Sequence, residues 1–396
     1  MGPFANSQKA SLTSSTYQSR QPSSTPAFLF LASHNLPLGF IANPSLGIIK
    51  MAEERTVHQP IHPSVRSQLD PEYVALHDSI IQYMEPSEAQ PWDPASRFNH
   101  NPLAHTTQKL SPVGKQWDEE LGGEIQVRVF VPEGQAPEGG WPCLVWLHGG
   151  GWVNGGLDNE NGFLTHVCKY VRCVVVTINY RHAPEHVYPA AVEDCLTGLK
   201  WVLEASNVAR LNINTALLTI GGVSAGGNLA AILTMKASLA NITPAPISQL
   251  LVCPVIDSTA TAETGWATSK HVPWLTPSRM AWYQNLYFSR PEDRTEWEAS
   301  PCFAPKEILK RSPKTWLAVA EVDLLTPEGL KYAEQLRDAG VEVETEVYKG
   351  ATHSVLVLAG VHQISRKFVH DACAVLAKGF GSTYDPAAAP ILSQQE

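Results

Sequence analysis

From residue 125 to residue 377 short β-rich runs alternate with helix-period runs, and few folds satisfy that order. The strand candidates are 125–131, 142–147, 173–179, 216–220, 249–255, 315–320 and 341–348. Several are continuously apolar, as strands covered on both faces must be. Between them, 162–171, 188–205, 225–239, 327–339 and 361–377 carry helical periodicity. The alternation predicts an α/β fold with a mostly parallel central sheet and helices on both faces. With 396 residues, of which 44% are hydrophobic, the chain can fill one large core. Upstream, 70–84 reads as a helix with Asp70 as N-cap and Pro71 in its first position. Residues 86–114 are Pro-rich and irregular.

Two stretches depart from the alternation. Residues 258–300 carry Trp266, Trp274, Trp282, Tyr283, Tyr287, Phe288 and Trp297. An aromatic insertion of this kind is expected to form a cap together with about 51–110, with roughly half of its aromatics only packing it onto the core. Residues 1–50 are rich in Ser, Thr, Gln and Pro and contain no Asp or Glu. They read as a disordered tail or as sequence ahead of a start at Met51, leaving 51–396 as a single domain. A transit peptide fits less well because arginine is sparse.

A formal net charge of -9 argues against a nucleic-acid partner. The 7 cysteines are scattered, with no Cys-x-x-Cys, which points away from a disulfide framework or structural zinc and toward the reducing cytoplasm. A mitochondrial address follows only if 1–50 is a transit peptide. No run is long and apolar enough for a stable membrane span. Nothing in the sequence fixes an oligomeric state.

The chemistry is concentrated in three places. Gly222-Val223-Ser224-Ala225-Gly226 follows a predicted strand and opens a predicted helix. In that setting Gly-x-Ser-x-Gly presents a strained, exposed nucleophile, and the glycines make room for the turn. The helix N-terminus favours negative charge developing there. Trp146-Leu147-His148-Gly149-Gly150-Gly151-Trp152 follows another strand. Its glycines bring backbone N–H groups close to a ligand oxygen, so one or two of Gly149, Gly150 and Gly151 with Ala225 would form an oxyanion hole. His148 is expected to hold this loop through hydrogen bonds, not to catalyse.

A serine nucleophile needs a base and an orienting acid. Asp323 and His353 each lie just past an apolar strand, in the chain order Ser, acid, His. His353 would shuttle the proton and Asp323 would fix its tautomer. Of the rivals, Glu321 should point away and Glu328 fits the first turn of a helix. His362 and His370 are expected to be surface or packing residues. The i, i+4 pairs His58–His62 and His182–His186 lack the Glu of a zinc-protease helix, so no metal or cofactor is expected.

Together these motifs resemble the hormone-sensitive-lipase-like α/β-hydrolases, a family of carboxylesterases. The resemblance runs from about 97 to 377. It rests on HGGGW (148–152), NYRHAPEHVYPAAVEDC (179–195), GVSAGGNLA (222–230), WLTPSRMAWYQNLYF (274–288), ASPCFAP (299–305), AEVDLLTPEGLKYAEQLRDAGVEVE (320–344) and YKGATHSV (348–355). It implies an α/β-hydrolase fold with a helical cap, the triad Ser224, Asp323 and His353, and an oxyanion hole at Gly149–Gly151 and Ala225. Tyr180, Arg181 and Glu185 would have structural roles. The chain departs from the family at Val223, where Asp usually precedes the serine, and at Leu324, Pro327 and Ser354-Val355.

The expected activity is hydrolysis of a small or medium apolar or aromatic ester through an acyl-enzyme. An arylformamidase or other small-amide or lactone hydrolase would use the same triad. A non-catalytic binding protein on this fold would be expected to lack one of the three residues.

Overall fold

The computed structural model describes residues 55–98 and 103–396. The expectations for residues 1–50 and Met51 lie outside the described residues. The strands are β1 (Lys115–Gly122), β2 (Ile125–Val131), β3 (Trp141–Leu147), β4 (Val174–Asn179), β5 (Ile213–Val223), β6 (Ser248–Val252), β7 (Lys314–Ala320) and β8 (Val343–Tyr348). They form one sheet in the order β1-β2-β4-β3-β5-β6-β7-β8. β2 is antiparallel to both its neighbours; every pair from β4 to β8 is parallel.

The helices are α1 (Pro63–Arg66), α2 (Pro71–Ser79), α3 (Asn161–His166), α4 (Ala190–Leu203), α5 (Ala205–Leu211), α6 (Ala225–Leu239), α7 (Pro277–Tyr287), α8 (Lys306–Leu309), α9 (Thr326–Asp338) and α10 (Gln363–Gly379). β3 shows why both sheet faces need cover. Cys143, Val145 and Leu147 enter one core with Leu199 of α4, Leu229 of α6 and Tyr332 of α9. Leu144 and Trp146 enter a second core with Phe163 of α3 and Phe368 of α10. Successive strand residues point to opposite faces, so a run buried on both has no polar alternation to display.

Boundaries moved where backbone geometry overrode periodicity. The 70–84 helix stops at Ser79, because Ile80 leaves helical geometry at φ -133°, ψ -58°. The 188–205 pattern gives α4 and stops at Glu204, whose ψ of 135° separates it from α5, a helix the sequence reading did not include. β6 ends at Val252, three residues short of the expected strand, because Cys253 turns to φ 41°. β1 was not anticipated at all. Its sequence, KQWDEELG, is polar, and it occupies the sheet edge, where Asp118 pairs with Arg128 and Glu119 with Arg210. Charged side chains on an edge strand oppose sheet-to-sheet association.

Residues 55–98 and 258–300 pack on each other beyond the C-terminal edge of the parallel strands. Arg279 of α7 donates to Glu88 (2.8 Å), to Gln59 (2.9 Å) and to the Trp274 carbonyl (2.5 Å). Trp92 lies against Trp282, and His62 stacks on His271 with ring centroids 3.9 Å apart.

Candidate active site

β5 runs directly into α6, and Ser224 is the single residue at the joint. Its backbone is forced to φ 58°, ψ -120°. Three backbone bonds hold it there: Ser224 N–H donates to the Val252 carbonyl (2.8 Å), and its own carbonyl accepts from Asn228 (3.0 Å) and Val255 (3.2 Å). A Cβ on Gly226 would run into the Leu147 and His148 carbonyl oxygens, and one on Gly222 into the Gly226 carbonyl. The two glycines therefore let the turn press against the end of β3. Strain of this kind persists only where its surroundings over-determine it.

Asp323 follows β7 and His353 follows β8, so parallel strands deliver both to the rim that carries Ser224. His353 Nε2 is 2.9 Å from Ser224 Oγ, and His353 Nδ1 is 2.9 Å from Asp323 Oδ2. The second Asp323 oxygen accepts from Leu325 N–H at 3.4 Å. Asp323 is 1% exposed and Ser224 8%. Cys253 Sγ lies within 4.8 Å of ligand atoms of Asp323 and His353. Burial pushes its thiol well above the ordinary value, which disfavours a thiolate ligand there.

The rival residues are placed elsewhere. Glu321 turns outward to Lys349 (2.7 Å) and Gly350 N–H (2.9 Å). His362 is the buried N-cap residue of α10, with Nδ1 2.9 Å from Ser365 Oγ, and His370 bonds Tyr384. His182 lies against His148 while His186 bonds Glu124, so this pair does not converge on one point.

His148 is fully buried and stacked on Tyr180, with centroids 4.4 Å apart. Burial pulls its imidazole down to about 4, so the ring is neutral at pH 7. Its Nδ1 donates to the Gly149 carbonyl at 2.8 Å, and Tyr180 OH donates to its own carbonyl at 2.9 Å. In the loop beyond, Gly150 (φ 120°) and Gly151 (φ 62°) adopt conformations that favour glycine. Gly149 N–H faces the Glu160 carboxylate at 3.4 Å. The N–H groups of Gly150, Gly151 and Ala225 have no acceptor among the described residues.

A cavity of about 330 Å³ opens over these groups. Ser224, His353 and Gly149–Gly151 line its floor, and Met84, Leu103, Trp274, Leu275, Met280 and Tyr283 are among its apolar walls. Of the insertion's aromatics, Trp274 and Tyr283 face this space. Trp266 is buried at 2% exposure, and Tyr287 stacks on Trp152 at 4.5 Å.

Residues 144–357 match the family model described as alpha/beta hydrolase fold. An AB hydrolase superfamily protein of Schizosaccharomyces pombe is 37% identical over 333 residues, covering 81% of this chain and 97% of that protein. The chain belongs to the hormone-sensitive-lipase-like α/β-hydrolases. Within that family, the carboxylic ester hydrolase LipN of Mycobacterium tuberculosis is 34% identical over 241 residues, 60% of this chain and 62% of that protein. The hyperthermophilic esterase of Pyrobaculum calidifontis superimposes with a TM-score of 0.68 at 28% identity, covering 78% of this chain and 98% of that one. The family's Tyr-Arg-x-Ala-Pro-Glu segment is structural here. Arg181 grips Asp194 through two oxygens, and Glu185 pairs with Arg97, whose guanidinium also donates to the Val153 and Ala183 carbonyls.

Three residues in or around this hydrolase's site have contacts that the sequence reading did not assign. Glu160 lines the cavity and receives Gly149 N–H. Glu328, placed by its spacing in the first turn of α9, is buried and accepts from Ile256 N–H (2.8 Å), Asp257 N–H (3.3 Å) and Trp266 Nε1 (3.2 Å), which anchors the start of the insertion. Burial raises its carboxyl to about 8. Arg279 fastens the insertion to residues 59 and 88. Glu160 has a weak signal in sequence: it lies a few residues past the glycine loop, in a chain that lacks the usual Asp at Val223.

Proposed function

We propose that this chain is a serine carboxylic-ester hydrolase in which Ser224 is the nucleophile, His353 the general base and Asp323 the orienting acid. LipN is named as a carboxylic ester hydrolase and the Pyrobaculum calidifontis protein as an esterase. The finer reading is carried by one observation, the 2.9 Å plus 2.9 Å relay from Ser224 Oγ through His353 to Asp323.

In this reading Ser224 Oγ attacks the ester carbonyl as His353 Nε2 takes its proton. The tetrahedral oxyanion accepts hydrogen bonds from the N–H groups of Gly150, Gly151 and Ala225, each worth about 3–4 kcal/mol in the transition state. Gly149 is omitted because its N–H is directed at Glu160. His353 passes the proton to the leaving alkoxide, the alcohol departs, and an acyl-Ser224 remains. A water deprotonated by His353 then releases the acid. Asp323 keeps the proton of the neutral imidazole on Nδ1 and stabilises the imidazolium.

Residues 55–98 and 258–300 act as the cap, and their apolar lining favours a small or medium apolar or aromatic ester. The substrate partner is a small molecule, and no helix among the described residues is long and apolar enough to cross a membrane. All seven cysteines are unpaired, which favours the cytoplasm.

Ser224→Ala should lower kcat/KM on 4-nitrophenyl butyrate by about 10⁴-fold or more while the circular dichroism spectrum stays unchanged. Comparable turnover by that variant would exclude the mechanism.

A further inference from the structure

Glu160 is half-buried beneath the oxyanion loop and open to the cavity it lines. Its distance from bulk water pushes its carboxyl up to about 7. Gly149 N–H and Trp146 Nε1 each donate to it, both at 3.4 Å, with the Asn159 side chain beside them. Among the described residues no lysine or arginine pairs with it. An ionised carboxylate accepts about four hydrogen bonds, and one poorly supplied in a site partly shut off from water is open to a further donor.

The buried carboxylates among the described residues are treated differently. Glu328 has three donors, Asp194 has the Arg181 guanidinium, Asp293 has the Arg290 guanidinium, and Asp323 has His353. None of these four lines the cavity. The oxyanion loop also has stronger fastenings than Glu160: Val153 and Asn154 N–H donate to the Gly150 carbonyl at 3.1 and 2.9 Å, and Tyr180 OH holds His148. Support of the loop alone does not account for an under-supplied carboxylate facing the substrate space.

We propose that Glu160 is a substrate-recognition residue that accepts a hydrogen bond from a hydroxyl or protonated amine on the acyl or alcohol part of the ester, close to the scissile carbonyl. Closeness follows from Gly149, whose neighbours Gly150 and Gly151 supply the oxyanion donors. The apolar walls at Leu103, Leu275 and Met280 take the remainder of the molecule. The preferred substrates are thus amphipathic esters, apolar over most of their length and carrying one donor near the reacting carbon. The inference rests on the ester-hydrolase reading.

The test compares matched esters on the full chain by titrating released acid at about pH 8, where a carboxyl raised to about 7 is mostly ionised. Ethyl 3-hydroxybutyrate is set against ethyl 3-methylbutyrate for a donor on the acyl side. For a donor on the alcohol side, 2-hydroxyethyl butyrate is set against propyl butyrate, and 2-(dimethylamino)ethyl butyrate against 3-methylbutyl butyrate. The last pair separates a cationic donor from a neutral one. In at least one pair the donor-bearing ester should have a kcat/KM about tenfold or more above its partner, as a hydrogen bond to a charged acceptor implies. Glu160→Leu should bring that ratio close to one, and Glu160→Gln should lower it partway, whatever either does to the absolute rates. A ratio near one in every pair of the unsubstituted protein overturns the proposal and needs no variant to do so. A ratio unchanged in Glu160→Leu overturns it as well. Hydrolysis of the donor-free esters, lost in Ser224→Ala, reports separately on the underlying ester-hydrolase reading.

Discussion

The rim of the sheet and the layer above it are held by different means. At the rim, Ser224 is fixed by three backbone bonds and by glycines that admit no substituent, Asp323 follows β7, which is buried on both faces, and His353 follows the half-buried edge strand β8. In the layer above, residues 55–98 meet 258–300 largely through side chains: Arg279 with Glu88 and Gln59, Trp92 with Trp282, His62 with His271. A backbone lattice resists substitution and keeps reacting atoms in register. A side-chain seam tolerates exchange and lets the cavity wall change without disturbing the rim.

That contrast can be broken most severely at Gly226. Gly226→Ala would drive a Cβ into the Leu147 and His148 carbonyls. We expect insoluble protein, or a loss of more than about 3 kcal/mol in denaturant titration together with loss of esterase activity. Near-normal stability would show that the elbow is less rigid than its geometry implies.

The same comparison is sharpened at the seam. Arg279→Ala removes the bonds to Glu88, Gln59 and Trp274, of which the Glu88 pair is charged on both sides. We expect a loss of about 1–3 kcal/mol. KM for bulky esters should rise while kcat on a short-chain ester changes little. A kcat lost equally on all esters would mean that seam and rim are not separable.

The smallest effect is at Glu328, where layer and sheet meet. Its carboxyl, raised to about 8, stays protonated in the folded chain over a range in which the unfolded chain has released that proton. The folded state then binds the extra proton, so this group's contribution to stability is full below the ordinary carboxylate range and declines as pH rises to about 8. The difference in stability between the unsubstituted protein and Glu328→Gln should therefore drift against the former from about pH 5 to pH 8. Chemical denaturation at several pH values reads it, and a difference independent of pH would place the proton elsewhere.

Much of this arrangement was legible in the sequence because it is local. Short β-rich runs, several of them continuously apolar, marked β2 to β8, and α6 begins and ends where its pattern placed it, at Ala225 and Leu239. Ser224, Asp323 and His353 were each marked by the end of a strand, and parallel strands bring such ends to one edge. What was missed depends on pairing between distant positions. β1 is polar, and only the Gly122-Gly123 turn hinted at its hairpin with β2. Glu328 resembled a helix-start carboxylate and Glu160 was not singled out, since nothing in their spacing reveals that Trp266 or Trp146 will reach them. Arg279 finds Glu88 across 191 residues, a distance over which no periodicity carries information.

The two layers also meet at the glycine loop. A Cβ at Gly151 would fall within the ring of Tyr283, so α7 rests on the strip of backbone proposed above to face the reacting oxygen. An ester too wide for its berth would displace that phenol and, with it, the peptide beneath. Size discrimination in this enzyme should then be felt as slower turnover and not merely as looser association, since a poor guest disturbs the hosts of its own transition state.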